Sequence, residues 1–168
     1  RTSDEAQRNL QVQCTPDQLT SEVSITEDQK SAGGQSELVD QLTELIQATR
    51  DDAVSLANAL AKQIRDGEVE VETRGRQITV RIKEKGSFDS GSARLQPGFD
   101  RVLHDVRDVL ATMKGNIMVQ GHTDNIAIST SRFRSNWELS SARAVSVAQQ
   151  LLNESVLDPK RFTVSGYS

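Results

Sequence analysis

The sequence is short of the residues from which most reactive or cross-linked sites are built. It holds one cysteine, Cys14, and two histidines, His104 and His122, in 168 residues. A lone cysteine excludes a disulfide framework and a cysteine zinc centre, and two histidines argue against a histidine-rich metal site. Neither a metal nor a cofactor is therefore expected. Long apolar runs are missing too: the longest are about three residues, against the roughly 20 that a membrane helix needs. No Lys/Arg-flanked apolar stretch with a cleavage site opens the chain, so no signal peptide is expected. The Arg1-Thr2-Ser3 start without methionine suggests a fragment or processed form. Aromatics are scarce and one-sided. All six (Phe88, Phe99, Phe133, Trp137, Phe162 and Tyr167) follow residue 87, which leaves the first half none to pack. Positive charge is scarce there as well: residues 1–72 carry six Lys/Arg against fifteen Asp/Glu, and residues 73–168 carry fourteen against nine. This overall acidity, without a basic stripe interleaved with aromatics, excludes a nucleic-acid partner.

What is present falls into three stretches. Residues 1–35 are polar, contain Pro16, Gly33 and Gly34, show no sustained apolar period, and read as an acidic flexible linker. Over 36–67 a long amphipathic linker helix is expected. Val39, Ile46, Ala53 and Leu60 recur every seven residues, Leu42, Thr49, Leu56 and Gln63 fill the second register, and Gly67 stops the pattern. Such a stripe packs either on its own domain or on a second copy of itself, and the sequence leaves both open. From residue 68 the signals are those of a globular domain. Val69 and Val71 alternate with glutamates, and Ile78, Val80 and Ile82 with polar residues, as in a β-hairpin turned around Thr73-Arg74-Gly75-Arg76. A Gly/Ser-rich loop over Phe88–Arg94 leads to Pro97, placed as a first-turn proline, and to a helix with Phe99, Val102, Leu103, Val106, Val109, Leu110 and Met113 on one face. Ile117-Met118-Val119 reads as a buried strand, Asn136 to Glu154 as a helix, and Phe162-Thr163-Val164 as the start of a further strand. Hairpin, helix, strand, helix and strand give an α/β two-layer sandwich with a mixed sheet.

The chemically suggestive stretch is Gly121-His122-Thr123-Asp124, at the carboxyl end of the Ile117–Val119 strand, where ligands bind in open α/β sheets. The next helix begins Asn136-Trp137-Glu138-Leu139-Ser140-Ser141-Ala142-Arg143-Ala144. A carboxylate at the strand end and an arginine one helix later can face one crevice. Such a pair suits a zwitterion, with Asp124 for an ammonium and Arg143 for a carboxylate. From spacing alone, an internal Asp124–Arg143 bridge that pins the loop is about as good a reading. An enzyme is not expected, because His122 and Asp124 lie two apart on one segment and no glycine-flanked nucleophile turn accompanies a serine such as Ser140. His122 reads as a structural strand-end histidine and His104 as solvated surface. Cys14 is no lipid site, since no apolar segment with a cleavage box precedes it.

Gly121-His122-Thr123-Asp124, followed by Asn136, Leu139-Ser140 and Arg143-Ala144, closely resembles the OmpA-like peptidoglycan-binding domain. The resemblance runs from Gly86 to Ser168 and includes Phe88-Asp89-Ser90-Gly91-Ser92-Ala93 and Leu95. It implies that Asp124 and Arg143 grip the diaminopimelate of peptidoglycan stem peptides and that Thr123 and Asn125 line the same cleft with backbone groups. Asn136, Leu139 and Ser140 complete the family pattern. The wording Ser135-Asn136-Trp137-Glu138-Leu139-Ser140 and the length of the loop before it are similar to flagellar motor stator B subunits, the MotB/PomB family. The loop over 125–134 is most similar to PomB, the sodium-type subunit. The resemblance implies a non-catalytic anchor, the periplasmic domain of a single-pass inner-membrane protein, with the linker helix regulating its reach. Its partners would be peptidoglycan, a stator A subunit met through an upstream membrane helix, basal-body ring proteins and a second copy of the chain. The alternative is a general OmpA-like or lipoprotein cell-wall anchor unrelated to the flagellum. Two departures stand out. Many relatives carry proline where Ala127 stands, and the family continues beyond the point matching Tyr167-Ser168 with a last helix and an Asn-Arg-Arg-rich strand. The domain over 68–168 is thus expected to be incomplete at its carboxyl end.

Overall fold

The computed structural model describes residues 9–15, 32–83 and 86–168. Its elements run β1 (Asn9–Thr15), α1 (Ala32–Ala59), α2 (Ala61–Arg65), β2 (Val69–Arg74), β3 (Gln77–Lys83), α3 (Phe99–Thr112), β4 (Asn116–His122), α4 (Asn136–Leu152) and β5 (Phe162–Tyr167). The alternating valines and isoleucines form the expected hairpin, with Val69 opposite Ile82 and Val71 opposite Val80. Its turn is tighter than the sequence suggested, because Arg74 already pairs with Gln77. That leaves Gly75, at φ 58°, and Arg76 as a two-residue loop with glycine where the left-handed conformation is needed.

The strands form one sheet in the order β2-β3-β1-β4-β5, antiparallel except for the parallel pair β4 and β5. The helices cover one face of it, giving the expected two-layer sandwich with a mixed sheet. Val69, Ile78, Val80, Ile82, Ile117 and Val119 are buried against Leu103, Val106 and Leu110 of α3 and Val147 and Leu151 of α4. The far ends of α3 and α4 are tied by Arg107. This buried guanidinium pairs with Glu154 at 3.1 Å and donates to the Asn153 carbonyl at 3.2 Å. The arginine holds a short 3₁₀ turn in which Glu154 and Ser155 have φ of 68° and 56°, and α4 accordingly ends at Leu152 rather than Glu154.

Three expectations need correction. Residues 1–35 are not linker throughout, since Asn9–Thr15 forms the middle strand of the sheet. Val12 lies there between Val80 and Val119 and is 1% exposed. Leu10, Val12 and Cys14 alternate with polar residues at the same spacing as Ile78, Val80 and Ile82, a strand signal hidden by the polar stretch around it. Of the rest of the proposed linker, residues 32–35 open α1 and residues 1–8 and 16–31 lie outside the described residues. Second, Pro97 precedes the helix cap Gly98 instead of occupying the first turn. Third, the helix expected over 36–67 starts at Ala32 and is broken at Leu60 into α1 and α2.

The heptad stripe of α1 is divided along its length. Thr49, Ala53 and Leu56, together with Leu60, are buried in the domain's own core beside β2 and α3, whereas Leu38, Val39 and Leu42 are exposed. Leu56→Ala should therefore destabilise the domain by about 2–5 kcal/mol in urea unfolding. Val39→Ala should stay within about 0.5 kcal/mol of the parent. Equal effects at the two positions would show that the stripe is not divided in this way.

Candidate functional site

The site begins with the way α4 sits on β4. A side chain on Gly121 would overlap the Ser140 carbonyl, and one on Gly166 of β5 would overlap the Ser141 and Ser140 hydroxyls. Hydrogen is all that fits at either position, so helix and sheet approach to backbone contact. The amino-terminal half of α4 is thereby held directly beside the carboxyl end of β4. The start of the helix is capped by Ser135, whose hydroxyl accepts from the Glu138 N–H at 3.3 Å. Glu138 in turn accepts from the Arg134 N–H at 2.7 Å and from its guanidinium at 2.8 and 2.9 Å. These bonds to Arg134, backbone first, hold the Glu138 carboxyl below its ordinary pKa.

With the helix fixed, Asn136, Leu139 and Arg143 recur at helical spacing along the wall of a cleft of ≈ 210 Å³. Thr123 and Asp124, immediately after β4, face them, and Ser90, Gly91, Ile126 and Ile128 complete the lining. Asn136 donates from its one amide nitrogen to the carbonyls of Asp124 (3.1 Å) and Ile126 (2.8 Å), and the Ile126 N–H closes on the Asp124 carboxylate at 3.3 Å. The loop after β4 is thus folded onto the helix start. Farther along, the Thr130 hydroxyl accepts from the Phe133 N–H at 3.0 Å, and the buried Phe133 ring anchors the loop's return.

A further side of the cleft, the Phe88–Arg94 loop, is held by Arg143. Its side chain is 4% exposed, Nε donates to the Ser92 carbonyl at 2.8 Å, a terminal nitrogen reaches the Asp89 carbonyl at 3.4 Å, and the guanidinium lies 5.1 Å over the Phe88 ring. Ser146, one turn on, donates to the Ala93 carbonyl at 2.7 Å. The Phe88–Arg94 loop is therefore fastened to α4 from one side, and the Phe88–Leu95 bridge closes its base. A buried guanidinium needs such acceptors, because leaving its donors unmet would cost several kcal/mol.

Two polar atoms in the lining stand out. Thr123 Oγ1 and Asn136 Oδ1 are buried on residues 7% exposed and have no hydrogen-bond partner. Buried polar groups are nearly always paired, so orphans in a cleft wall mark where a ligand or water completes the set. The cleft is smaller than the roughly 300–1,000 Å³ of drug-sized sites, and it suits one amino-acid-sized group with mixed polar and aliphatic surface.

Of the sequence-derived site residues, Asp124, Arg143, Thr123, Asn136 and Leu139 meet in this cleft. Two do not line it. Asn125 is exposed outside, and Ser140 is fully buried behind the wall, where its hydroxyl donates to the Trp137 carbonyl at 3.2 Å. Ser140 packs against Gly121 and Gly166 and sets the height of the helix. Ile126 and Ile128 were missed. They sit in a loop without periodicity, and only the cleft shows that they border it, with Ile126 still largely exposed at its rim. His104 is on the surface beside Asp108, away from the cleft. Among the described residues no cluster of His, Cys, Asp and Glu could hold a metal ion, and no helix is long and apolar enough to cross a membrane.

Comparison with known proteins places this geometry. The OmpA family model matches residues 87–168. Motility protein B of Bacillus subtilis is 32% identical over 125 residues, which cover 71% of this chain and 48% of that protein. Among solved structures, the cell wall anchor of the T6SS from Pseudomonas aeruginosa is 40% identical with a TM-score of 0.63, covering 67% of this chain and 78% of that one. A MotB-like protein from Desulfovibrio vulgaris is 30% identical with a TM-score of 0.67, covering 75% and 78%. The chain spans less than half the length of the curated relatives it matches.

The Gly121–Ser140 contact yields a test of the architecture. Gly121→Ala should cost about 1–3 kcal/mol by forcing helix and strand apart, read as a lower thermal midpoint. Ser140→Ala, which leaves the backbone contact intact, should cost less. A Gly121→Ala protein as stable as the parent would remove this contact from the account of the fold.

Proposed function

Residues 87–168 match the OmpA family, and from that match and the cleft we propose that the chain is a non-catalytic anchor to the peptidoglycan layer. The observation that carries the reading is one carboxylate and one guanidinium, Asp124 and Arg143, in the walls of a single amino-acid-sized cleft at the end of β4. The ligand is the diaminopimelate of a stem peptide. Its free ammonium is met by Asp124, its carboxylate by Arg143, and its polar atoms complete Thr123 Oγ1 and Asn136 Oδ1. The aliphatic stem between the charges lies on Leu139, Ile126 and Ile128. Binding of this kind needs no proton transfer and no nucleophile, only charge held in place before the ligand arrives.

The kinship with Motility protein B and the MotB-like structure supports a flagellar stator as the machine that is anchored. The chain would then be the periplasmic part of an inner-membrane protein, joined to a stator A subunit through an upstream helix, with basal-body rings nearby. The loop over 125–134 favours the sodium-type subunit. The 40% identity to a T6SS cell wall anchor supports a second reading, the same attachment serving a secretion machine. Loss of swimming on deletion of the gene, with secretion intact, decides for the first reading. The reverse decides for the second.

The divided stripe of α1 supports two further parts of this reading. The exposed half, with Leu38, Val39 and Leu42, pairs with a second copy of the chain. The docked half is a reserve of length. Its helical rise of about 1.5 Å per residue becomes about 3.4 Å when extended, so releasing the docked half of the 28-residue α1 adds about 25 Å of reach.

In sedimentation with purified sacculi, Asp124→Asn and Arg143→Ala should each weaken binding at least about tenfold, the effect of one lost charge-assisted hydrogen bond of roughly 1.5–3 kcal/mol. Free diaminopimelate should compete with the parent protein. Because Arg143 also holds the Phe88–Arg94 loop, Asp124→Asn with an unchanged melting midpoint is the decisive variant. Parent-like pelleting by it would end the diaminopimelate assignment. Separately, Val39→Lys with Leu42→Lys should convert a dimer to a monomer in analytical ultracentrifugation that stays folded by circular dichroism and whose melting midpoint no longer rises with protein concentration. Unchanged mass would refute pairing through this half of α1.

A further inference from the structure

His122 belongs to the Gly121-His122-Thr123-Asp124 motif, yet it does not line the cleft and has no part in the binding just described. Its surroundings give it another role. β4 and β5 run parallel, and their last register pair is His122 with Tyr167. Residues 122 and 167 lie on the sheet face away from the helices, opposite to Gly121 and Gly166, which meet α4. The two rings are stacked, 4.9 Å between centroids and 9° from parallel. Tyr167 is gripped twice more from the same strand end. Its hydroxyl accepts from Gln120 Nε2 at 3.3 Å, and its carbonyl accepts from the Thr123 N–H at 3.4 Å. Residues 120, 122 and 123 thus all lean on one tyrosine. Thr123, the next residue along, turns its side chain into the cleft, and Asp124 follows it.

The N–H···O bond of Thr123 is long, so the stacked rings carry much of the registration at this end. We propose that His122 is a positioning residue of the cleft: its neutral ring, stacked on Tyr167, holds Thr123 and Asp124 against the helix wall, and uptake of a proton releases them. This rests on the anchoring function proposed above. The physical reason is that, among the described residues, a proton on this ring would find no hydrogen-bond acceptor, only the face of Tyr167. Nε2 is buried without a hydrogen-bond partner, so a proton there would be a charged donor with no acceptor. The described residues of the neighbouring strands do not compensate. β3 brings Arg81 and Lys83, both positive, and β2 brings Arg74 with Glu70 and Glu72. The two glutamates are already paired, Glu70 with Lys83 at 3.4 Å and Glu72 with Arg81 at 3.1 Å. β1 carries no carboxylate, amine, guanidinium or imidazole, β5 offers the neutral phenol of Tyr167, and Asp124 is engaged in its own loop. Burial first, and Arg81 second, push the His122 pKa below its ordinary 6.5.

The sign follows from linkage. Above about pH 6.5 the ring is neutral in both folded and unfolded chains. Below it the unfolded chain takes up the proton first, so the native arrangement loses stability as pH falls toward the depressed folded value. Cleft binding should weaken over that acid range, and it should do so through His122.

The test compares sacculus binding by the full chain between about pH 5 and pH 8 for the parent, His122→Phe, His122→Ala and Asp124→Asn. The parent should lose about fivefold or more in affinity toward pH 5, a coupling of ordinary size. His122→Phe, which keeps a ring on Tyr167 but cannot titrate, should bind like the parent at pH 8 and lose much less on acidification. His122→Ala should bind weakly throughout, with its folded state checked by circular dichroism. Because all proteins meet the same sacculi, titration of the wall itself cancels in the comparison. A His122→Phe protein with the parent's pH profile, or a parent that binds equally across the range, would overturn the proposal. Failure of Asp124→Asn to weaken binding at pH 8 would instead overturn the anchoring function on which it rests.

Discussion

Everything at the cleft depends on one close approach, the Ser140 backbone resting on Gly121. Two elements of regular structure normally keep a side chain's thickness between them. Here that thickness is absent at Gly121 and again at Gly166, so α4 lies at backbone distance from β4 and β5. The position of every α4 side chain near the strand end follows. Asn136 reaches two loop carbonyls, Leu139 meets the loop's isoleucines at the cleft, and Arg143 reaches across to the Phe88–Arg94 loop. A helix raised by one methyl group would miss these partners by enough to break bonds whose useful range is only a few tenths of an ångström.

The same economy governs the charges. Arg143 is buried, which is tolerable because backbone carbonyls and an aromatic face surround it. A cation fixed in this way loses little side-chain freedom when it meets an anion, so more of the interaction energy is left for binding. Asn136 holds the facing loop by its nitrogen and keeps its oxygen, with the Thr123 hydroxyl, unmatched inside the wall. The cleft is thus rigid where it touches its own chain and unsatisfied where a ligand would enter. That combination suits a proposed anchor, which must hold under load but has no bond to break.

The long helix shows one pattern serving two environments. Its stripe keeps the same spacing from Val39 to Leu60, but only the second half meets a core. Stability is therefore graded along the helix, and the end farthest from the domain is held least. A connector built this way can loosen progressively without unfolding the sheet to which its other end is fixed.

Much of this was legible in the chain itself. The hairpin, α3 and α4 announce themselves through periods of two and 3.6, because each must turn one face to the core, whereas β4 and β5 show only short apolar runs, and β4, expected to be covered on both faces, leaves Met118 exposed. The meeting of Asp124 with Arg143 followed from a strand end and a helix start joined by one loop. Other features arise only when distant parts of the chain meet. Asn9–Thr15 alternates like the hairpin strands, but its place in the middle of the sheet, between β3 and β4, is information that no local pattern carries. Ser140 and Asn125 look as eligible for the cleft as Thr123 does. Ser140 is turned away by the helix's rotation, and Asn125 by the loop's path. Periodicity records what each segment requires of its surroundings, whereas the distance between two backbones and the direction of a loop are set by the elements that pack on them, and these only the tertiary structure decides.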